Sequence, residues 1–322
     1  MITGKKTWLY LQNIFLNLVY QMIEQKIIRD IVKENFDEDV IEISTIYAGG
    51  MNFVYEVIFG HQTIMLKAYP SVRSSIAATE FEILLSGKKN GVLLPEPFFF
   101  GKKAGKGYLA YKKIEGTNLN FDLLAISEQQ RFCADLVQNI AQLAKISFQY
   151  FGNITEEKKV FASWPAFLLQ NIDSGLLTLR EGKFIPEASL QKLTEFMLSH
   201  RLLNETVMPC LVWGDLKSEN ILVSNGSLAA LLDFESCFSG DPLLSFGYLF
   251  AREGDSRFYK TSIAAFRRLQ SFSDEDIYFY ALFRFLRISK YLGSPLPTGK
   301  IREPVLNYFP GIQKILNLFK NQ

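Results

Sequence analysis

The residues best placed for chemistry in this 322-residue chain lie between Cys210 and Glu235. Asp215, Lys217 and Asn220 follow the short apolar run Leu211-Val212-Trp213, and Asp233 closes a later apolar run 18 positions after Asp215. Between them, Asn225-Gly226 is a hairpin signal, because the two residues accept the positive φ that a tight turn between strands requires. A hairpin returns its ends to one place, so Asp215, Asn220 and Asp233 are expected to converge. Oxygen-bearing side chains of this kind suit a hard cation such as Mg²⁺, which takes one or two carboxylates and completes its shell with phosphate and water. Phosphoryl transfer uses these same parts: metal ligands, a carboxylate to receive a hydroxyl proton, and a cation on the moving phosphate.

The segment resembles the catalytic loop and metal-binding motif of the protein-kinase-like fold. Gly214-Asp215-Leu216 with Asn220, then Asp233-Phe234-Glu235 and Gly240-Asp241-Pro242, is most similar to the aminoglycoside phosphotransferase and choline kinase group. The resemblance runs from about Ile41 to Tyr248 and is most specific from Val212 to Pro242. It implies that Asp215 is the catalytic base, that Asn220 and Asp233 hold Mg²⁺, and that the nucleotide is ATP, with GTP as the alternative.

The first half supplies the matching nucleotide side. Ala48 to Tyr55 is similar to the glycine loop of the group, with Gly49, Gly50 and Asn52 against the phosphates, although two glycines alone read equally as an ordinary hairpin turn. Lys67, which ends the run Ile64-Met65-Leu66, resembles the lysine that pairs with nucleotide phosphates. Its carboxylate partner is Glu80 rather than Glu82, since helical residues two apart do not face the same way. Tyr108 to Ile114 takes the place of the adenine-binding hinge.

Three positions depart from the pattern. Trp213 stands where a His usually precedes Gly-Asp, and an indole there would support the loop by packing rather than chemistry. Ser245 lies where the group often has an Asp, so the brace of the loop is expected to differ. Lys217 is closer to the protein-kinase loop and is expected to neutralise charge on the transferring phosphoryl group. Asp241 reads as a structural brace through backbone hydrogen bonds.

The elements that must carry these residues change character along the chain. Apolar positions at helical spacing predict a first helix across Thr7–Tyr20 and a second across Glu24–Asn35. Strands follow at Ile41–Tyr47, Asn52–Phe59 and Gln62–Tyr69, the last two joined by Gly60-His61. A helix over Thr79–Lys88, extended chain over Val92–Phe100 and a strand over Tyr108–Ile114 complete a small antiparallel sheet region. From Ser127 the period is mostly helical, interrupted at Pro209–Pro242 and resumed at Ile277–Leu292 and Val305–Phe319. The element order is α+β, a small antiparallel sheet region followed by a larger, mostly helical one, and with the resemblance above it implies a two-lobed, protein-kinase-like fold of N-lobe and C-lobe. The expected divisions are 1–40 for the N-terminal helices, 41–114 for the N-lobe and 115–322 for the C-lobe.

Composition closes off other classes. A net charge of +2 with 48% hydrophobic residues gives neither a disordered chain nor the basic stripe of a nucleic-acid binder. Two histidines and three scattered cysteines cannot furnish a zinc site with CxxC or HxxxH spacing, and buried unpaired thiols suit a reducing, cytoplasmic setting. The N-terminal stretch carries Gln12, Asn13 and Asn17 and is too short and polar to span a membrane; its helix is expected to pack on the N-lobe or on a second copy as a homodimer.

The acceptor is less legible. From Arg252 onward Lys and Arg outnumber Asp and Glu, which disfavours a polycationic aminoglycoside, and the tail aromatics at helical spacing read as core more than as a choline cage. A small hydroxylated molecule (a sugar, amino alcohol or antibiotic) is the expected substrate, with Glu235 and Trp164 as candidate contacts. Two other readings stay open: a catalytically silent nucleotide-binding regulator, and a protein-serine kinase, which lacks an Ala-Pro-Glu segment after Glu235.

Overall fold

The computed structural model describes residues 24–48, 51–155, 160–289, 315 and 317. Gly49, Gly50, the helix expected at Thr7–Tyr20 and nearly all of Val305–Phe319 lie outside the described residues.

Helix α1 (24–36) leads into five antiparallel strands, β1 (Val40–Ala48), β2 (Phe53–Phe59), β3 (Gln62–Tyr69), β4 (Pro97–Lys103) and β5 (Lys106–Lys112), ordered β1-β2-β3-β5-β4. Helix α2 (Ile76–Lys89) lies between β3 and β4 in the chain. The period-2 alternation of a strand decides which helix each side chain meets. Leu66, Ala68, Tyr108 and Ala110 form one core with Ile28, Ile31 and Val32 of α1. Tyr69 and Leu109, on the opposite face, join Ile76, Ala77, Ile83 and Leu84 of α2 in the larger core. Lys67 shares parity with Tyr69, so the sheet aims it at α2. Strand β4 begins at Pro97 rather than Val92: proline donates no ladder hydrogen bond and is tolerated at the first residue of a strand.

Past β5 the chain enters the second lobe, where β6 (Thr117–Asn118) pairs with β9 (Ile221–Ser224). Its helices are α3 (Ile126–Leu143), α4 (Trp164–Gly182), α5 (Glu187–Ser199), α6 (Leu243–Glu253), α7 (Arg257–Phe266) and α8 (Asp274–Ser289). Two three-stranded sheets complete it: β10-β9-β6, with β10 at Ser227–Leu231, and β7-β11-β8, from Gly152–Asn153, Cys237–Gly240 and Cys210–Trp213. The architecture is the expected two-lobed α+β fold.

Helix α8 is buried on most of its surface, from Ile277 to Leu286 almost without a break. It sits against α4 and α6, where a Cβ at Gly175 would meet Leu286 carbonyl oxygen at 2.6 Å and one at Gly247 would overlap Tyr280 Cβ. Asp274, Glu275 and Asp276 occupy its first turn, where negative charge complements the helix dipole. Among the described residues, no helix is long and apolar enough to cross a membrane.

Candidate active site

Lys67 is fully enclosed and surrounded by carboxylates. Its Nζ lies 3.0 Å from Glu80 Oε2, 2.7 Å from Asp233 Oδ1 and 3.4 Å from Glu235 Oε2. Glu80 also accepts from the Tyr69 hydroxyl and, at 2.9 Å through Oε1, from the backbone N–H of Phe234. A single side chain of α2 thus ties the N-lobe sheet to the loop that carries Asp233. Glu82, two residues on, is exposed.

The opposite wall is built by strand pairing. In β8, Cys210 to Trp213 are buried against β11 in the register Trp213↔Cys237 and Val212↔Phe238. Gly214 N–H donates to Ser236 O at 2.8 Å, and a Cβ at Gly214 would overlap that oxygen and the Phe238 ring. Only glycine lets the chain leave the strand this close to β11 and present Asp215. The hairpin β9–β10 turns at Asn225 (φ 49°) and Gly226 (φ 71°), both in the left-handed region. At its open end Leu232 N–H donates to Asn220 O at 2.8 Å, setting Asn220 beside the residue before Asp233.

Asp215 is held from four directions. Arg252 NH2 and Lys217 Nζ each lie 2.9 Å from it, on Oδ1 and Oδ2 respectively, and Arg284 NH2 is 3.6 Å from Oδ1. Asn220 Nδ2 donates to Oδ2 and to the Asp215 carbonyl, both at 2.9 Å. Burial alone would raise the pKa of this carboxyl, but Arg252, Lys217 and Arg284 outweigh it and hold the group below the usual carboxylate range. Asp233 behaves oppositely: burial and the nearby Glu235 push its pKa up, and Lys67 offsets only part of this. Arg284 is lowered to about 10, by burial first and then by Arg252.

The donor set fits a hard cation. Asn220 spends its amide nitrogen on Asp215, which leaves its side-chain oxygen to face an ion, and Asp233 uses one oxygen on Lys67. The Asp233 side chain is 27% exposed, so its carboxylate stays open to the cleft. Glu80, Asp233 and Glu235 also place one carboxylate oxygen each within 4.8 Å of one another, with Lys67 among them. All are oxygen donors, the preference of Mg²⁺.

The structure brings together Lys67, Glu80, Asn52, Asp233 and Glu235 on one side, and Asp215, Lys217 and Asn220 on the other. Two residues sit elsewhere than expected. Trp164 is fully buried and donates its indole N–H to the Tyr280 hydroxyl at 2.9 Å, which in turn donates to Asp241 Oδ2 at 2.7 Å; it is an anchor of the C-lobe core with no surface for substrate. Glu235 is buried against Asn52, Arg73 and Lys67, on the Lys67 side of the cleft rather than beside Asp215. Asp241 also accepts from Leu243 N–H at 2.9 Å, and Ser245 donates to Trp213 O at 2.8 Å, so a hydroxyl braces the strand end where an acid was expected.

Sequence reasoning missed Arg252, Arg284, Tyr69 and Arg73 as parts of the site. Arg252 and Arg284 were visible only as an excess of tail charge, because they reach Asp215 from two separate helices. Tyr69 had a signal: it lies two residues after Lys67 on the same strand face.

A two-lobed α+β fold with a lysine–glutamate pair facing a loop of Asp, Lys and Asn and a second Asp defines a protein-kinase-like phosphotransferase. Residues 43–278 match the model of the phosphotransferase enzyme family, APH, and the chain belongs to that family. Similar solved structures include a protein from Haemophilus somnus 129PT described as a fructosamine-3-kinase (TM-score 0.65, 17% identity, 91% of this chain and 97% of that one). A thermostable variant of aminoglycoside phosphotransferase APH(4)-Ia, in ternary complex with AMP-PNP and hygromycin B, aligns with TM-score 0.62 at 18% identity over 82% of this chain and 90% of that one. The GDP and kanamycin complex of APH(2")-IIia aligns with TM-score 0.63 at 17% identity, over 90% and 97%. No curated protein matches the sequence. At these identities the structural likeness speaks for the fold alone.

Proposed function

We propose that the chain is an ATP- and Mg²⁺-dependent kinase that moves the γ-phosphoryl group to a hydroxyl of a small molecule. The observation that carries this reading is the hairpin-closed trio of Asp215, Asn220 and Asp233 facing the Lys67–Glu80 pair. Lys67 binds the nucleotide phosphates, and Glu80 fixes its position. Asp233 and Asn220 would hold Mg²⁺, which would neutralise charge on the phosphate oxygens. The acceptor hydroxyl oxygen attacks the γ-phosphorus as its proton passes to the Asp215 carboxylate. The new P–O bond forms while the bond to the β-phosphate oxygen breaks, and ADP departs with that electron pair. Lys217, beside Asp215, offsets charge on the moving phosphoryl group.

The small-molecule acceptor is supported by the family and by similar folds solved with hygromycin B and kanamycin. ATP is supported by the AMP-PNP complex, and the GDP complex keeps GTP as the alternative. Three free, buried cysteines fit a reducing cytoplasm.

The test is mass spectrometry of a mixed library of sugars, amino alcohols and antibiotics incubated with Mg-ATP and the protein, with Asp215→Ala and Asp233→Asn beside it. A product 80 Da heavier than its parent, seen only with the native chain, is expected. Undiminished product with Asp233→Asn would overturn the assignment, and nucleotide binding without any product would favour the silent regulatory reading.

A further inference from the structure

Beyond Lys217, the proposed transfer gives no role to the two arginines that meet Asp215. Lys217 comes from the loop, Arg252 from the last turn of α6 and Arg284 from the third turn of α8, and all three converge on one carboxylate. Glu253, the nearest other acid in sequence, is turned away: it accepts from Ser218 N–H at 3.0 Å and from Ser218 Oγ at 2.7 Å. Arg284 stacks over the Tyr248 ring at 4.5 Å. One turn later, Arg287 lies over Phe238 at 4.4 Å and donates to the Tyr248 hydroxyl at 3.3 Å. Among the described residues Arg287 has no carboxylate within ion-pair distance, and the Nε atoms of both Arg284 and Arg287 are buried without a hydrogen-bond partner.

Three cations therefore share one carboxylate where the acceptor hydroxyl must reach Asp215. Two guanidinium groups and an ammonium sharing a single carboxylate are under-neutralised, and guanidinium groups suit carboxylate or phosphate oxygens. The same arrangement repels an ammonium-bearing acceptor, since like charges at close range cost free energy.

We propose that the acceptor is an anionic hydroxylated molecule, and that Arg252, with Arg284 behind it, recognises its carboxylate or phosphate. The proposal rests on the kinase reading and names its substrate class. Arg252 is the accessible partner, its side chain 32% exposed, whereas that of Arg284 is 8% exposed. When the anionic group takes up Arg252, Asp215 Oδ1 is left open to the incoming hydroxyl. Arg252 is thus a specificity-determining residue, and the acceptor itself completes the arrangement by removing a cation from Asp215.

The test reads binding of the charged group, so it holds for any carbon skeleton the acceptor carries. The native chain is saturated with Mg-AMP-PNP, which fills the phosphate positions of the nucleotide, and its melting temperature is followed against methyl phosphate, D-gluconate, glucose and glucosamine. Saturable stabilisation by methyl phosphate or gluconate is expected, with no shift from glucose or glucosamine. Arg252→Gln should weaken the anion at least fivefold, while Arg252→Lys retains part of the effect. Methyl phosphate acting without gluconate would make the group a phosphate, and the reverse a carboxylate. Stabilisation by glucosamine above the anions, no anion effect, or an anion effect equal in Arg252→Gln would overturn the proposal. Failure of Mg-AMP-PNP itself to raise the melting temperature would instead overturn the kinase reading.

Discussion

The indole N–H of Trp213 donates to the backbone carbonyl of Asp233 at 3.2 Å, and its ring stacks on Phe234 with centroids 5.5 Å apart. Asp233 has φ 64°, a left-handed conformation that aspartate visits only when its surroundings hold it. Trp213 is one of those holds: it fixes the carbonyl of the strained residue from below while Glu80 fixes the next N–H from above. The residue that departs from the family pattern therefore supports the loop by hydrogen bonding as well as by packing.

Trp213→Phe should keep the stack on Phe234 and lose the hydrogen bond. A neutral hydrogen bond contributes about 1 kcal/mol, so urea unfolding should show a loss of that order, with a larger fall in turnover as Asp233 loosens. Trp213→Ala should cost about 3–5 kcal/mol, as for other buried large aromatics. Equal activity in Trp213→Phe and the native chain would remove the indole from any positioning role.

Asp215→Asn should fold and bind Mg-AMP-PNP but lose roughly 10²–10⁴ in turnover, the usual contribution of a general base. Because Arg252, Lys217 and Arg284 then lose their counter-charge, the melting temperature should fall as well. Differential scanning fluorimetry beside single-turnover transfer separates the two effects.

Lys67→Met should be destabilising by about 3–5 kcal/mol, the cost of leaving buried charges without their partner. Glu80, Asp233 and Glu235 would face one another without the ammonium that separates them. Isothermal titration with Mg-AMP-PNP should show weakened binding even in protein that remains folded.

His200 predicts a pH dependence far from the cleft. It is stacked on Phe279 at 4.6 Å, near Asp276 and Arg201, and burial pulls its pKa below the ordinary histidine value despite Asp276. The unfolded chain then binds the proton more readily than the folded one. This contribution to stability is complete above the unfolded value of about 6.5 and is lost as pH falls through the folded one. Melting temperatures between pH 8 and 5 should decline on the acid side, and His200→Gln should flatten that decline; an unchanged slope would place its origin elsewhere.

Local patterns made the site's skeleton legible. The alternation through Phe53–Phe59 and Gln62–Tyr69 gave a hairpin whose observed register, Phe59↔Gln62 through Phe53↔Ala68, puts Lys67 on the α2 face. The spacing of Asp215, Asn220 and Asp233 around an Asn-Gly turn was enough to predict their convergence, because short-range strand pairing closes it. What failed was non-local. Arg252 and Arg284 arrive from helices whose approach depends on packing across the C-lobe, which no spacing encodes. Trp164 was a candidate substrate contact, yet its indole N–H is taken up by the Tyr280 hydroxyl, itself bonded to Asp241, deep in the core. Glu235, two residues from Asp233, meets Asn52 and Arg73 from the other lobe, partners that lie more than 160 positions away in sequence.

The bare backbones of Gly175 on α4 and Gly247 on α6 let both helices close directly on α8, at Leu286 and Tyr280. Arg284 is consequently delivered to a fixed address. A larger side chain at either glycine would collide with α8 and carry Arg284 away from Asp215. Two glycines that touch neither nucleotide nor acceptor thereby act on the candidate site at a distance, since each sets the seat of the helix that brings Arg284 to Asp215.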